Sequence, residues 1–340
     1  MLQELLQLVT AHDTGDSQMR IFITGASGFI GAAAATHFAQ DHEVLAMSRS
    51  AASDDIIRKL GVTPIRCQLG GVTPEHLQGM DTIIHAAAKV EEWGKWSEYW
   101  AANVDGTTQL LKAAKASGVK TFIHIGTEAS VFYGQNLHNI DETLPLALSA
   151  PYPYSRTKAH AEAAVVAANT DNFRTISVRP RMVWGPNDKT ILPVILAMIK
   201  QNRFMWIDNG QALTSTTHID NLIHGIDLAL QKGIGGNAYF ITDDGTRTLH
   251  EFFTRLARTK GITPPDKQIP GWLADVMART FEAIWRLFGL TSTPPLTRIA
   301  VDLIRREGTI NCEKAEHDLG YKPVISFDDG LRKLEKKTDL

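Results

Sequence analysis

Two side chains near the middle of the chain form a pair that could move a proton. Tyr154 and Lys158 lie four residues apart at the start of a predicted helix, so they share one helix face. A free tyrosine has a pKa of about 10, and a nearby ammonium favours the phenolate and lowers that pKa. The spacing therefore predicts that Tyr154 exchanges a proton with an alcohol or a carbonyl, although such pairs also arise by chance. Tyr152 and Arg156 have the same spacing and form an alternative pair.

A hydroxyl group follows a predicted strand. The run TFIHIG (121–126) leads into Thr127, and Ser130 follows three residues later. A hydroxyl at the carboxyl end of a parallel strand projects into the crevice where such sheets bind ligands. Thr127 is preferred for holding a substrate oxygen near Tyr154 because it follows the strand directly. Either hydroxyl could instead cap a turn.

Three glycines follow the first predicted strand in TGASGFIG (24–31), at positions 25, 28 and 31. Glycine permits a tight turn and a close approach of the backbone to a pyrophosphate. The helix that follows offers free N–H groups and the positive end of its dipole. Glycines in this spacing between a strand and a helix are typical of a dinucleotide site, and an ordinary tight turn is the alternative.

The second predicted strand ends in Ser48, Arg49 and Ser50. A site specific for NAD usually has an acidic residue here that binds the ribose hydroxyls. Arg49 could instead pair with the 2′-phosphate of NADP, and either serine could donate a hydrogen bond to it. NADP is therefore favoured and NAD is the alternative. Arg49 could also be an ordinary solvated loop residue.

The elements that position these residues alternate between short apolar runs and helical stretches. Such runs are typical of strands buried on both faces of a parallel sheet, so we predict an α/β fold with a Rossmann-type doubly wound sheet. The predicted strands cover 20–25, 43–48, 62–67, 82–87, 121–126, 175–180 and 237–242. The predicted helices cover 31–40, 103–118, 155–169, 191–201 and 217–231, and the chain after about 245 is mostly helical.

This rhythm predicts two domains and a short extension. The nucleotide-binding domain is predicted at 19–186, with a return at about 214–243. A smaller, mostly helical C-terminal substrate domain is predicted at 187–213 and 244–340. Residues 1–18 form the N-terminal extension, whose leucines suit a short amphipathic helix.

Composition excludes several classes of protein. With 340 residues, 44% apolar and 21% charged, the chain is neither disordered nor of low complexity. A formal net charge of −2 argues against a nucleic-acid-binding surface. Its two cysteines have no metal-ligand spacing, so neither a zinc site nor a disulfide framework is expected, and no metal is implied. No secretory signal or run of about 18 apolar residues is evident, which leads us to expect a cytoplasmic protein without a transmembrane segment.

The motifs resemble, in order, those of the extended short-chain dehydrogenase/reductases. They are TGASGFIG (24–31), HAAA (85–88), NVDGT (103–107), YSRTK (154–158) and RPRMVWGPND (179–188). Within that family the chain is most similar to the 3β-hydroxysteroid dehydrogenase-like branch, through 150–169, 217–230 and 294–323. The family also implies a homodimer, often formed through helices 103–118 and 155–169.

The resemblance implies roles for the matching positions. Tyr154 is the expected general acid/base, Lys158 binds the nicotinamide ribose, and Thr127 occupies the position of the catalytic Ser or Thr. Asn103 is expected to support the site near Lys158. The cofactor-binding positions are Gly25, Ser27, Gly28, Phe29, Ile30 and Gly31 at the pyrophosphate, Ala86, Ala87 and Lys89 near the riboses, and Pro180 and Met182 beside the nicotinamide.

Two positions depart from the family pattern. Many members have an Asp-Leu pair after the third strand, and its Asp contacts adenine. This chain has Gln68 and Leu69 there, which lack that carboxylate. The strand end before Thr127 reads Ile-Gly-Thr where Ser-Ser is more usual, and threonine keeps the hydroxyl that the chemistry needs.

Large aromatic residues follow several of the predicted strands. They suit a pocket for a bulky apolar substrate, although some are expected to pack the core instead. The pocket residues that we predict are Trp93, Trp96, Tyr133, Trp184 and Trp206.

Segment 270–290 has an unusual pattern. Its charges Asp275, Arg279, Glu282 and Arg286 form one narrow helical stripe, and apolar side chains cover most of the rest. So broad an apolar arc is expected to be covered. The possible covers are the smaller domain, a substrate beneath a lid, a second copy of the chain or a membrane surface.

The favoured function is an NADP-dependent oxidoreductase that interconverts a bulky apolar secondary alcohol and its ketone, such as a 3β-hydroxysteroid or a long-chain β-keto compound. A nucleotide-sugar epimerase or dehydratase with tightly held NAD(P) is the alternative. A basic cluster for its diphosphate is not obvious, although Arg181, Lys189, Arg203 and Arg247 are available. A non-catalytic NADP-binding sensor is a third possibility.

Overall fold

The structure is a computed structural model that describes residues 18–336, so the proposed N-terminal extension lies outside it except for residue 18. The strands are Arg20–Thr24 (β1), Glu43–Ser48 (β2), Thr63–Arg66 (β3), Thr82–His85 (β4), Thr121–Ile125 (β5), Leu137–Ile140 (β6), Arg174–Pro180 (β7), Val183–Trp184 (β8), Trp206–Ile207 (β9), Leu213–Thr214 (β10), Thr217–His218 (β11), Asn237–Ile241 (β12), Arg247–Thr248 (β13), Gln268–Ile269 (β14) and Gly308–Ile310 (β15).

Helices connect these strands and cover the sheet. They are Phe29–Phe38 (α1), Ala51–Lys59 (α2), Trp96–Tyr99 (α3), Gly106–Ala116 (α4), Pro153–Ala167 (α5), Leu192–Lys200 (α6), Ile219–Lys232 (α7), Leu249–Arg258 (α8), Gly271–Leu287 (α9), Arg298–Arg305 (α10), Glu313–Leu319 (α11) and Phe327–Lys336 (α12). A π-helical turn over Trp100–Asp105 joins α3 to α4.

The central sheet is parallel throughout and has seven strands in the order β12-β7-β5-β4-β1-β2-β3. Successive side chains of a strand point to opposite faces, and both faces are apolar here. In β1, Ile21 and Ile23 join the cluster beneath α1 and α7, whereas Phe22 joins the cluster beneath α4. Both faces are therefore buried, which explains the nearly continuous apolar runs of the sequence.

The sequence predicted this α/β architecture correctly. All seven predicted strands lie in the central sheet, and their bounds differ from the predicted ones by at most two residues. The strand order reverses between β1 and β4, because β2 and β3 extend to one side and β5, β7 and β12 to the other. Ligands of such sheets bind at this switch point, outside the carboxyl ends of the strands.

The remainder of the chain contains more strand than we predicted. A second sheet has the order β13-β10-β15-β6, and two further pairs join β8 to β11 and β9 to β14. These strands have two to four residues each, too few to produce a recognisable alternation of apolar and polar residues.

Helix α9 leaves much of its apolar arc in water, contrary to our expectation from its pattern. Trp272 and Leu287 are 64% and 80% exposed. Glu282, from the charged stripe, is instead buried, and its carboxylate pairs with Arg298 at 2.9 Å. The helix docks through small residues and ion pairs, so its large apolar side chains are not needed for packing.

No helix within residues 18–336 is long and apolar enough to cross a membrane. In the same part of the chain, no three His, Cys, Asp or Glu side chains are grouped so that they could hold a metal ion. Cys67 and Cys312 are both free thiols.

Candidate active site

The glycine-rich turn after β1 has the shape that a pyrophosphate requires. Gly25 has φ of +78°, and a Cβ at this position would lie 2.8 Å from the Ala87 nitrogen. A Cβ on Gly31 would lie 2.2 Å from the Gly25 carbonyl oxygen. Helix α1 begins at Phe29, directly after the turn, so its free N–H groups and positive dipole end lie at the switch point. These residues fit the pyrophosphate of a dinucleotide, and other residue types at 25 or 31 would displace the backbone.

The loop after β4 borders this turn and is fastened to α5 by Asn103. The Ala87 N–H donates to the Thr24 hydroxyl at 3.1 Å. Asn103 accepts from the Lys89 N–H at 2.7 Å, and its amide donates to the Lys89 carbonyl and to the Thr157 hydroxyl, both at 3.1 Å. Asn103 thereby holds the loop with Ala86, Ala87 and Lys89 against the residue that precedes Lys158. This agrees with a supporting role for Asn103.

Two arginines lie at the carboxyl ends of the neighbouring strands β2 and β3. Arg49 was predicted from the sequence, and Arg66 was not. Arg49 is exposed, and Ser48, which precedes it, is paired in register with Arg66 at the end of β3. The Arg66 guanidinium forms an ion pair with Asp54. Hydrogen bonds from Ser48 and Arg66 hold the pKa of the Asp54 carboxyl below its usual value. Arg66 could have been found from its position at a strand end beside Arg49.

Gln68 and Leu69 begin the loop after β3. Gln68 is exposed, and its carbonyl accepts a hydrogen bond from the Gly71 N–H at 2.8 Å. Leu69 packs closely on α4, where a Cβ on Gly106 would lie 2.7 Å from its Cγ. The expected contact of this pair with adenine stays a prediction.

Thr127, Tyr154 and Lys158 converge at the carboxyl end of β5. Thr127 follows β5 and is buried, and its side chain faces Tyr154. Its hydroxyl donates to the Glu128 carboxylate at 2.7 Å and accepts from the Ala129 N–H at 3.2 Å, so it also caps the turn over Glu128–Val131. Tyr154 lies in the first turn of α5, which starts at Pro153 because a fixed φ and a missing N–H suit the first helical position. Lys158 lies one turn later on the same helix and is buried. Ser130, the alternative hydroxyl, instead donates to the Thr127 carbonyl at 2.8 Å.

The pKa of Tyr154 is shifted upward, opposite to the direction that we predicted. Burial raises it and the Glu128 carboxylate adds to the effect, while the hydrogen bond with Thr127 opposes it. The Lys158 ammonium is directed elsewhere, since its Nζ lies 3.0 Å from His124 Nε2 and donates to the Ile125 carbonyl at 2.7 Å. Tyr154 is therefore held as a neutral phenol, the form that can donate a proton.

Burial also lowers the pKa values of the basic side chains Lys158, His85 and His124. It lowers the pKa of Lys158 to about 8, and it lowers the pKa of His85 to about 3. The pKa of His124 is held well below its usual value by burial and by the Lys158 ammonium. His124 is therefore neutral, and its Nε2 accepts a hydrogen bond from Lys158. The sequence analysis did not assign this role to His124.

The alternative pair of Tyr152 and Arg156 does not form. The Tyr152 hydroxyl donates to the Asp302 carboxylate, and its ring stacks on Phe132. The Arg156 guanidinium lies over the ring of Trp96, 5.0 Å from the centroid. Tyr152 thus joins α5 to α10, while Tyr154 faces Thr127.

Two buried ion pairs lie behind the reacting groups, and sequence reasoning missed both. Glu128 accepts from the Arg181 guanidinium at 2.7 Å. Glu162 accepts from Arg179 and from the Ser177 hydroxyl, the latter at 3.1 Å. No local pattern marks these residues, because each partner lies on a different element. Arg181 is consequently not available to bind a diphosphate.

Pro180 and Met182 lie at the end of β7, beside β5 and hence near Thr127. Met182 has φ of +42°, and its sulfur accepts from the Thr214 hydroxyl at 3.7 Å. Their predicted position next to the nicotinamide is compatible with this placement.

Two of the five predicted pocket aromatics are wrong. Trp184 is fully buried, and its Nε1 donates to Asp243 at 2.8 Å. Trp206 is buried in a cluster with Phe204 and Ile195. Both rings pack cores on the smaller side of the molecule, where a large aromatic residue fills space. Trp93, Trp96 and Tyr133 are half-buried or exposed, so their role in a pocket stays a prediction.

A cavity of about 740 Å³ lies alongside α1 and α7 rather than at Thr127, Tyr154 and Lys158. It reaches the glycine turn at Ser27, Gly28 and Phe29 but has no wall from Thr127, Tyr154 or Lys158. We therefore do not assign the substrate to it, because chemistry requires contact with the proton donor.

A Rossmann-type sheet, a dinucleotide turn at its switch point and a tyrosine beside a threonine and a lysine make this chain an NAD(P)-dependent dehydrogenase/reductase. It belongs to the NAD dependent epimerase/dehydratase family, whose model matches residues 21–241. The predicted membership of the extended short-chain dehydrogenase/reductases is confirmed.

Three relatives align with nearly the whole chain. A 4-hydroxy-2-methyl-3-oxo-4-farnesyl-3,4-dihydroquinoline-1-oxide ketoreductase from Stigmatella aurantiaca is 36% identical over 94% of this chain and 96% of its own length. A 2-alkyl-3-oxoalkanoate reductase from Stenotrophomonas maltophilia is 31% identical over 93% of this chain and 98% of its own. A 3 beta-hydroxysteroid dehydrogenase/Delta 5→4-isomerase from Mycobacterium tuberculosis is 30% identical over 92% of this chain and 88% of its own.

A solved structure shows the same fold. The UDP-glucuronic acid 4-epimerase from Bacillus cereus in complex with NAD superposes with a TM-score of 0.72 over 94% of this chain and 99% of its own. The two sequences are 21% identical, so this likeness concerns the fold alone.

Proposed function

We propose that this chain is an NADP-dependent reductase that converts a bulky apolar ketone to its secondary alcohol. The observation that carries the proposal is the convergence of Thr127, Tyr154 and the buried Lys158 at the carboxyl edge of the sheet. A neutral phenol can give its proton to a carbonyl oxygen, as ketone reduction requires. Two of the relatives are named ketoreductase and 2-alkyl-3-oxoalkanoate reductase.

The residues divide the work of the reaction. Gly25, Gly28 and Gly31 would hold the pyrophosphate of a nicotinamide dinucleotide, which would supply a hydride for the carbonyl carbon. Tyr154 donates its hydroxyl proton to the carbonyl oxygen, so that the oxygen becomes the hydroxyl of the alcohol. Thr127 orients that oxygen by a hydrogen bond, and the Lys158 cation binds the nicotinamide ribose one helical turn from Tyr154.

This division of work predicts a dependence on pH. Because the pKa of Lys158 is about 8, its ammonium is charged below this pH and neutral above it. Tyr154 stays protonated across the same range, since its pKa is raised. We expect kcat/KM for ketone reduction to fall as the pH rises through about 8. Lys158→Arg keeps its charge, so its residual activity should stay level between about pH 7 and 9. If Lys158→Arg shows the same decline of kcat/KM with pH, a group other than Lys158 causes that decline.

The preference for NADP is proposed to come from Arg49, with Arg66 beside it. Replacing Arg49 with serine should raise the KM for NADPH about tenfold and leave the KM for NADH nearly unchanged, since only NADPH offers a phosphate for a charge-assisted hydrogen bond. Arg58→Ser is the matched control, because this exposed arginine pairs with Asp55 at 3.3 Å. An unchanged ratio of the two KM values after replacement of both Arg49 and Arg66 would contradict the proposal.

The substrate is proposed to be apolar and bulky. The three relatives act on molecules whose names contain a farnesyl group, an alkyl group or a steroid. A nucleotide-sugar reaction is less favoured, because Arg181 pairs with Glu128 and Arg247 is hydrogen-bonded to Thr216 at 3.0 Å. Two of the four arginine and lysine candidates for a diphosphate are thus engaged inside the protein.

The proposal is tested by following nicotinamide absorbance. Purified protein is mixed with NADPH and a long-chain 2-alkyl-3-oxo acid, and separately with NADP⁺ and a 3β-hydroxysteroid. Oxidation of NADPH in the first mixture or reduction of NADP⁺ in the second would support the oxidoreductase, and the mixture that reacts would identify the class of substrate. Conversion of a UDP-sugar without net redox change would overturn it in favour of an epimerase, and tight cofactor binding without any turnover would favour the sensor. The homodimer, the cytoplasmic compartment and the domain bounds stay predictions from the sequence.

A further inference from the structure

Helix α9 presents an apolar stripe to solvent. This outer stripe consists of Trp272, Val276, Ile284, Leu287 and Phe288. Leu287 and Phe288 are 80% and 70% exposed, so they make little contact with the rest of the chain. Large apolar residues that are exposed along one side of a helix often mark a surface that contacts a membrane or another protein.

The orientation of α9 is fixed by its inner face. Ala274 and Ala278 are buried in a cluster with Ile207 and Val301. The Glu282 carboxylate accepts from the Arg298 backbone N–H at 2.8 Å and pairs with its guanidinium, and Asp275 pairs with Arg305. Rotation of the helix would expose these alanines and break both ion pairs, so the outer stripe cannot turn inward at low cost.

The charges of α9 are divided between its two faces. Asp275 pairs with Arg305 of α10, and the Glu282 carboxylate is shared by Arg298 of α10 and by Arg286, which lies 3.1 Å away on α9 itself. Arg279 and Arg286 are both exposed, and one shared carboxylate leaves this side of the helix with a net positive charge. The water-facing side of the helix is therefore apolar and cationic. Large apolar side chains with flanking arginines are typical of helices that lie in the interface of a bilayer containing anionic lipids.

The outer stripe ends beside the loop that borders the candidate active site. Trp93 Nε1 donates to the Leu290 carbonyl at 3.4 Å, and the Arg286 guanidinium lies 5.6 Å from the centre of the Trp93 ring. The same loop carries Lys89, which Asn103 fastens beside α5. Glu91 of this loop and Glu98 of α3 both contact the Lys89 ammonium at 3.4 Å, and this contact offsets part of their negative charge.

We propose that the outer stripe of α9 binds the surface of a bilayer containing anionic lipids, and that apolar substrate reaches the site from that lipid. The binding to lipid stands independently of the reaction, whereas the entry of substrate rests on the proposed function. Leu287 and Phe288 insert below the headgroups, while Arg279 and Arg286 lie at the level of the phosphates. The contact is with one leaflet only.

The test uses the full chain and unilamellar vesicles of phosphatidylcholine, with and without phosphatidylglycerol, measured by co-sedimentation. Leu287→Ser with Phe288→Ser should weaken binding by more than about tenfold, because the inserted apolar area is lost. Arg279→Gln with Arg286→Gln should weaken binding about tenfold to the anionic vesicles only. Ile234→Ser with Val324→Ser is the matched control, since these residues are 52% and 59% exposed in loops away from α9, and it should bind like the wild type.

Two results would overturn the proposal. One is a wild-type chain that does not sediment with anionic vesicles. The other is a stable dimer that Leu287→Ser with Phe288→Ser converts to monomer in light scattering, because the stripe would then be covered by a second copy. The reaction is judged separately, with a short water-soluble ketone and NADPH, where the Leu287 and Phe288 variant should match the wild type. Vesicle binding without turnover would reject the reductase and keep the lipid surface.

Discussion

Replacing Tyr154 with phenylalanine should lower kcat for ketone reduction by about 10²- to 10⁴-fold, the usual contribution of a positioned proton donor. The phenylalanine ring keeps the packing of the first turn of α5 but cannot donate to the carbonyl oxygen. The hydroxyl faces Thr127, and Tyr154 does not belong to the glycine turn proposed for the pyrophosphate. The Kd for NADPH, measured by fluorescence titration, should therefore change less than about threefold.

Tyr152→Phe is the matched control for this change. Tyr152 lies two residues away, carries the same hydroxyl and donates it to Asp302 instead of facing Thr127. Its removal should leave kcat nearly unchanged and cost only the free energy of one hydrogen bond to a charged group, about 1.5–3 kcal/mol of stability. Equal losses of kcat in the two variants would show that the reaction does not depend on the Tyr154 proton, and a large loss only in Tyr152→Phe would transfer the role to that residue.

Replacing Glu162 with alanine should lower the free energy of unfolding by about 3–5 kcal/mol, because the Arg179 guanidinium would stay buried without its counter-charge. Glu162 is fully buried and accepts from Arg179 Nε at 2.8 Å and from the Ser177 hydroxyl at 3.1 Å. Arg179 Nη1 already has no hydrogen-bond partner among the described residues, so the guanidinium depends on Glu162 for its pairing. Urea unfolding measured by circular dichroism would report the loss.

Glu251→Ala provides the comparison for an exposed ion pair. Glu251 faces Arg255 at 3.6 Å, one turn away on α8, and both side chains are more than a third exposed. Such pairs contribute about 0.3–0.5 kcal/mol, so this variant should unfold nearly as the wild type does. A double variant, Glu162→Leu with Arg179→Met, should recover much of the stability that Glu162→Ala loses, because neither charge remains buried. If Glu162→Ala costs no more than Glu251→Ala, water reaches Arg179 and the pair is not buried in solution.

The sequence determined the central sheet and the positions of the reacting groups. Apolar runs in strands buried on both faces are a local property, so all seven strands could be predicted without knowledge of their neighbours. The turn at Gly25, Gly28 and Gly31 and the pair Tyr154 and Lys158 could also be predicted, because each pattern is defined by spacing within one turn or one helix.

The tertiary structure decided everything that depends on contacts between distant segments. Trp184 and Trp206 looked like pocket residues, but the helices packed around them make them core. The direction of the Tyr154 pKa shift follows from burial and from Glu128, while Lys158 is directed to His124. These effects depend on which side chains the fold places next to one another, and spacing along the chain carries no information about that.

Helix α9 shows the difference most clearly. Its pattern correctly separated a charged stripe from an apolar arc, but the pattern could not tell which of them would face the protein. Arg298 and Arg305 of α10 engage the carboxylates Glu282 and Asp275, and this places the apolar arc in water. An amphipathic sequence defines the two faces of a helix, but the partner residues supplied by the rest of the fold decide which face is buried.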